Sequence, residues 1–175
     1  LSEFFHDRYK NFMKEKEIRN DIIESVTLNY NIDNILKIYK KTLTLNKLIS
    51  KETGKDLMYS YKRASNIISN EVKNNQIELT GSADPGLFKN EFEKILYKKI
   101  HEIRKDFTNI GKDEDYEGLL KTLSLARKEV NDFFDNVIVN DQDELIKKNR
   151  LELLQMLCKT FDNYLNFSKV ESIQW

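Results

Sequence analysis

Four side chains spaced along one predicted helix could bind nucleic acid: Tyr59, Lys62, Arg63 and Asn66. At 100° per residue, Tyr59, Arg63 and Asn66 fall on one side of a helix, and Lys62 flanks them. Aromatic and guanidinium planes stack on unpaired bases, amides bond to base edges, and cations hold phosphates. The residue types therefore predict a face that binds single-stranded RNA, and the alternative is an ordinary polar helix face.

The residue patterns that support catalysis are missing from the sequence. It has neither a glycine-rich phosphate loop nor a Gly-x-Ser-x-Gly elbow, and His6 and His101 are isolated. The single cysteine, Cys158, falls on an apolar helical stripe, so we interpret it as core filling rather than as a nucleophile. These observations predict no catalytic residue, no metal ligand and no cofactor site, and we do not expect this chain to be an enzyme by itself.

Charge is distributed unevenly along the chain. The 29 basic and 29 acidic residues cancel, but residues 37–65 hold eight basic residues against two acidic ones, a local excess of six positive charges. Such a segment can attract a phosphate backbone, or it can be a solvated, lysine-rich helix surface. No apolar run approaches the length of a membrane span and no signal-peptide pattern opens the chain, so we expect a cytoplasmic location without membrane contact.

The elements that position these residues are predicted to be helices. One proline and five glycines leave few places where a helix must stop, which predicts an all-α fold, an antiparallel bundle of about seven to eight helices. Apolar periodicity predicts helices over about residues 2–16, 21–28, 32–54, 56–70, 84–106, 113–127 and 141–166.

Local signals predict where some helices begin and end. Gly54 is suited to cap a helix at its C-terminus, Asp84 and Pro85 to begin one, and Asp141 to cap the last one. The polar residues 71–83 are the best linker candidate. They predict a helical segment over 1–80 and a helical bundle over 84–175, or a single domain.

Five stretches resemble the C-terminal region of bacterial glycyl-tRNA synthetase β subunits, which carries an anticodon-binding domain of the DALR type. Residues 4–8 are similar to the family's Phe-x-x-(Asp/Glu)-Arg, and 62–68 to its Lys-Arg-x-x-Asn-Ile-Leu. Residues 130–139 resemble Val-Asp-x-Phe-Phe-Asp-x-Val-Met-Val, 149–154 match Asn-Arg-Leu-x-Leu-Leu, and 165–168 stand where the family has Ala-Asp-x-Ser. Two departures remove a carboxylate each, because Asn131 and Asn166 replace aspartates of the pattern.

The resemblance implies the tRNA-binding, anticodon-recognising part of a glycine–tRNA ligase β subunit, itself without an active site. The implied partners are the tRNA for glycine, the remainder of the β subunit and the α subunit, which would use ATP and Mg²⁺ to activate glycine. Glycine anticodons share two cytosines, whose edges suit carboxylate, Arg and Asn partners. The alternative is a helical docking module for subunit assembly with little direct RNA contact.

Two further RNA-binding candidates come from the matched Asn-Arg-Leu stretch, namely Asn149 and Arg150. For Arg150 the competing interpretation is an internal ion pair, because it shares a helical side with Asp143. Phe133 and Phe134 are interpreted as core residues, with base stacking as the alternative, because valine and isoleucine surround them.

Overall fold

The computed structural model describes residues 2–27, 35–110, 116–163 and 166–170. In these ranges there are eight α-helices and no strand, which confirms the predicted all-α bundle. The helices are α1 (Ser2–Glu15), α2 (Asn20–Thr27), α3 (Ile35–Ile49), α4 (Glu52–Asn75), α5 (Glu91–Ile110), α6 (Tyr116–Ser124), α7 (Arg127–Asn136) and α8 (Glu144–Asp162). Single 3-10 turns lie at Pro85–Leu87 and Phe167–Lys169.

The helix α8 is the centre of the fold. Helices α4 and α5 pack against it, and α7 packs on both of them. One side of α8 is buried at Leu151, Leu154, Cys158 and Phe161, and so are Leu153 and Met156 on a second side. Cys158 lies in this core, where burial raises the pKa of its thiol to about 12. A protonated, enclosed thiol is unreactive, so the interpretation of Cys158 as core filling is confirmed.

The junction of α3 and α4 differs from the prediction. Gly54 does not end α3, because α3 ends at Ile49 and Gly54 lies in the first turn of α4. A Cβ atom on Gly54 would lie 2.1 Å from the carbonyl oxygen of Leu48. Glycine is therefore required here for the close approach of two helix backbones, a tertiary contact that the local sequence does not reveal.

The predicted linker is partly helical and is held in place. Helix α4 continues through Asn75, well beyond the predicted end near residue 70, and residues 76–84 follow as an irregular strap. The carboxylate of Glu152 on α8 accepts hydrogen bonds from the backbone N–H groups of Thr80, Gly81 and Ser82. The strap therefore lies fixed along the surface of α8.

Two predicted helix starts are displaced. Asp84 caps a turn as expected, since its Oδ1 accepts from Gly86 N at 2.8 Å, but the turn is a single 3-10 turn and α5 begins only at Glu91. The last helix is capped by Asp143 rather than Asp141; the Asp143 carboxylate accepts from the N–H of Leu145 at 2.9 Å. The apolar stretch 130–139 belongs largely to α7. The predicted gap between helices at residues 29–31 lies outside the described residues, and so do residues 111 and 112 of the predicted gap at 107–112.

Candidate nucleic-acid interface

Helix α4 has one buried side and one exposed side, as its periodicity predicts. Leu57, Tyr61 and Ala64 of the apolar side are buried, and Ile68 on the same side is half-buried. The exposed side, which we call the α4 face, comprises Tyr59, Lys62, Arg63, Asn66 and Asn70, of which Lys62 is half-buried and the other four are exposed. The Tyr59 side chain is 69% exposed, an unusual fraction for a large aromatic residue. The fold thus presents to solvent the side chains whose types can stack on bases and bond to their edges.

Arg63 is held in place by an aromatic ring from another helix. Its guanidinium carbon lies 4.3 Å from the centroid of the Phe134 ring on α7. Phe134 itself is only 9% exposed and packs edge-on against Phe133, so both phenylalanines are core residues, as interpreted from the sequence. The contact restricts the arginine side chain before any ligand arrives, and a fixed guanidinium plane loses less conformational freedom when a base stacks on it.

A cleft opens where the α4 face meets α8. Its volume is about 230 Å³, and its lining residues come from α4, from the segment after α7 and from α8: Ile67, Asn70, Glu71, Val139, Asn140, Lys147 and Leu151. Asn70 belongs both to this cleft and to the α4 face. The exposed stripe and the cleft are therefore one continuous surface.

An ion pair crosses the cleft. Lys147 Nζ on α8 lies 2.8 Å from Glu71 Oε2 on α4, and Asn75 Nδ2 donates to the same oxygen at 2.6 Å. The hydrogen bond between Lys147 and Glu71 lowers the pKa of Glu71, and the same bond raises the pKa of Lys147. Both side chains are therefore charged at neutral pH, although Lys147 is only 7% exposed.

Asn149 is engaged inside the protein. Its Oδ1 accepts from Asp84 N at 2.7 Å and its Nδ2 donates to Asp84 O at 3.0 Å. The residue is buried, and its side-chain amide joins α8 to the end of the strap. An amide that already satisfies two backbone groups in this way supports the fold.

Arg150 forms the internal ion pair that was the competing interpretation, but its partners differ from the expected one. Its Nε donates to Glu93 Oε1 at 2.9 Å and its Nη1 to Asp141 Oδ2 at 2.6 Å. Asp143, the partner expected from helical spacing, instead caps α8. Glu93 is fully buried, and its other oxygen accepts from the N–H groups before α5. The arginine thus connects α8 to α5 and to the segment after α7.

The sequence reasoning missed Glu71, Asn140 and Lys147. Glu71 and Lys147 lie far apart in the chain, and no local pattern links them. The one available signal was the position of Glu71, directly after the last residue of the α4 stripe. Arg63 was found by its type and spacing, but its contact with Phe134 depends on how α7 packs against α4.

The described ranges contain neither a metal site nor a membrane span. No group of three or more His, Cys, Asp or Glu side chains there could hold a metal ion. Nor does any helix among those residues combine the length and apolar character needed to cross a bilayer.

The amino-acid sequence is similar to proteins of one family. Residues 57–174 match the model of the DALR anticodon binding domain. The chain is 36% identical over 168 residues to the glycine–tRNA ligase beta subunits of Rickettsia prowazekii (strain Madrid E) and Rickettsia typhi (strain ATCC VR-144 / Wilmington), covering 95% of this chain and 24% of each relative. It is 33% identical over 171 residues to that of Rickettsia akari (strain Hartford). The chain thus spans about a quarter of the length of these relatives.

Proposed function

Because the chain belongs to the DALR anticodon binding domain family, we propose that it binds the anticodon end of a tRNA through the α4 face. The observation that carries the proposal is the exposed row of Tyr59, Arg63, Asn66 and Asn70, with Arg63 held over Phe134. From Tyr59 to Asn70 the helix rises about 16 Å, the length of about five stacked bases. The row can therefore contact several consecutive nucleotides of a loop.

The names of the relatives specify the tRNA in this proposal. They are glycine–tRNA ligase beta subunits, so the proposed ligand is the tRNA for glycine. In this proposal the chain is a non-catalytic part of a cytoplasmic ligase, and an α subunit supplies the ATP- and Mg²⁺-dependent activation of glycine. The division into residues 1–80 and 84–175 stays a prediction. In this proposal Asn149 and Arg150 stabilise the fold and do not contact RNA, because both are buried and hydrogen-bonded inside the protein.

The test is binding of a labelled glycine tRNA anticodon stem-loop to the full-length protein, followed by fluorescence anisotropy. Tyr59→Ala and Arg63→Ala are each expected to weaken binding about tenfold, since stacking on one base is worth about 1–3 kcal/mol. Arg63→Lys keeps the charge but loses the plane, so it separates stacking from general attraction.

Lys98→Ala on the exposed surface of α5 is the matched control, because it removes one positive charge outside the α4 face. Wild-type affinity in Tyr59→Ala and Arg63→Ala, with unchanged melting temperature, would contradict the proposal. Equal losses of stem-loop affinity in Lys98→Ala and Arg63→Ala would mean that binding depends only on net charge.

A docking role for the N-terminal helices is the second candidate function, and it rests on exposed apolar side chains. Phe5 and Phe12 lie about two helical turns apart on α1, and both are more than 40% exposed. The centroid of the Phe12 ring lies 6.3 Å from that of Tyr39 on α3. Leu43, one turn further along α3, is also exposed. Exposed aromatic groups of this kind mark interaction surfaces. In a protein as long as the relatives, the rest of the chain could pack against them.

This candidate is tested with Phe5→Ser combined with Phe12→Ser in the full-length protein. Loss of subunit assembly, measured by light scattering, with unchanged stem-loop affinity would support docking. Normal assembly would remove the support, without affecting the assignment of the α4 face.

A further inference from the structure

We propose that the cleft beside Asn70 receives one unstacked cytosine of the bound RNA, and that Glu71 and Lys147 read its hydrogen-bonding edge. The inference rests on the proposed function, because it requires RNA at the α4 face. It goes further by naming the base and the side chains that select it. The cleft is continuous with the face through Asn70, so a base turned out from a strand on the face can enter it.

The size and the lining of the cleft suit a single base. Its volume of about 230 Å³ is below the roughly 300–1,000 Å³ of pockets that hold drug-sized ligands. Ile67, Val139 and Leu151 supply apolar walls for the faces of a ring, while the polar side chains lie among them. The cleft is therefore large enough for one base, and its polar groups must select which base it receives.

The polar groups have unused bonding capacity that points to a ligand. Both hydrogen bonds to the Glu71 carboxylate end on Oε2, so Oε1 accepts none from the described residues. An ammonium has three N–H donors, and Lys147 uses one of them on Glu71. The pair therefore presents an acceptor beside donors at the rim of an apolar cleft.

That order of groups matches cytosine and opposes uracil. Cytosine carries an amino donor beside the ring N3 and O2 acceptors, so its amino group can donate to Glu71 Oε1 while Lys147 donates to N3 or O2. Uracil has a carbonyl oxygen where cytosine has the amino group, and an N–H where cytosine has its acceptor. In the same position the O4 acceptor of uracil would face the acceptor Glu71 Oε1. Its N3–H would face the Lys147 ammonium wherever Lys147 donates to N3 of cytosine, which places a donor against a donor. The exposed amides of Asn70 and Asn140 can add bonds to O2 or to the ribose.

The experiment uses the full-length protein and three labelled anticodon stem-loops: the natural glycine loop and two loops in which one of the shared cytosines is changed to uridine. Wild-type protein is expected to prefer cytosine by about tenfold or more at one of the two positions. Glu71→Gln replaces the acceptor with an amide that can also donate. This variant is expected to bring the ratio of affinities at that position close to one.

Two further variants keep the result interpretable. Glu78→Gln, an exposed carboxylate outside the cleft, is the matched control and should retain the wild-type preference. Val139→Phe fills the cleft and leaves both charged side chains of the ion pair in the sequence. It should therefore lower the affinity for the natural loop to that for the uridine loop even if Glu71→Gln fails to fold.

The outcomes separate this inference from the proposed function. An unchanged cytosine preference in both Glu71→Gln and Val139→Phe, in a protein whose binding still depends on Arg63, overturns the cleft assignment alone. Binding that is independent of Arg63 overturns the proposed function, and the cleft assignment with it.

Discussion

The side-chain amide of Asn149 pairs with both backbone polar groups of Asp84. Oδ1 accepts from Asp84 N at 2.7 Å, and Nδ2 donates to Asp84 O at 3.0 Å. The amide gives the Asp84 N–H a hydrogen-bond acceptor, and it shares the Asp84 C=O with Leu87 N of the 3-10 turn. Asn149 stands in the Asn-Arg-Leu stretch that the family pattern shares, so part of that pattern has a structural purpose here.

Asn149→Ala is expected to release the strap locally. The substitution removes the partner of the Asp84 N–H, whereas the Asp84 C=O keeps the hydrogen bond that it accepts from Leu87 N. A hydrogen bond of this kind contributes about 0.5–1.5 kcal/mol. Hydrogen exchange of residues 80–88, measured by mass spectrometry, should accelerate while exchange in α4 stays slow. Unchanged protection of the strap would mean that its other bonds suffice to hold it.

Glu152→Gln is expected to loosen the same strap from its middle. The wild-type carboxylate accepts three backbone N–H groups from residues 80–82, and a glutamine amide can present its single oxygen to only some of them. Exchange at residues 80–82 should accelerate at least tenfold, because at least one charge-assisted bond is lost. Glu78→Gln is the control, since Glu78 is exposed and its carboxylate makes no such contact with the strap backbone.

Arg150→Met is expected to destabilise the domain strongly. It leaves the buried carboxylate of Glu93 without its cation, and breaking a buried pair costs about 3–5 kcal/mol. Arg127→Met is the matched control, because Arg127 pairs with Asp56 at the surface, where an ion pair contributes about 0–1 kcal/mol. Thermal unfolding followed by circular dichroism measures both. Similar melting temperatures for the two variants would show that the Arg150 network contributes little.

Gly54→Ala is expected to lower stability although alanine favours helices. The added Cβ would lie 2.1 Å from Leu48 O, so α3 and α4 must move apart. Overpacking of this kind typically costs about 1–3 kcal/mol. Gly86→Ala is the comparison, because the nearest atom to its Cβ would be Asp84 Oδ1 at 3.2 Å, at the end of a side chain that can shift. A melting temperature for Gly54→Ala at or above that of the wild type would contradict the close approach.

Salt dependence distinguishes the roles of two neighbouring cations on the α4 face. If Arg63 stacks on a base, Arg63→Ala lowers stem-loop affinity and leaves the slope of log affinity against log salt unchanged. If Lys62 contacts a phosphate, Lys62→Ala reduces that slope by about 0.7, the value for one contact with a single strand. Anisotropy titrations over a range of salt concentrations measure both slopes. A reduced slope for Arg63→Ala with an unchanged slope for Lys62→Ala would mean that Arg63 contacts the phosphate and Lys62 does not.

The sequence by itself determined the class of fold and the two sides of α4. Leu57, Tyr61 and Ala64 are buried, and Tyr59 and Arg63 are exposed, because a period of 3.6 residues places them on opposite sides whatever the helix packs against. The cap at Asp84 was also predictable, since it depends on atoms within two residues. The functional assignment came from short motifs, and the family match over residues 57–174 agrees with it.

Only the tertiary structure decided which partners the polar side chains have. Arg150 binds Glu93, 57 positions away, instead of the nearby Asp143, because the packing of α5 against α8 brings that carboxylate within reach. The ion pair of Glu71 and Lys147, and the cleft around it, likewise exist only where α4 packs on α8. Periodicity and capping act over a few residues, whereas these contacts depend on how whole helices are placed. No local pattern in the sequence could therefore have predicted them.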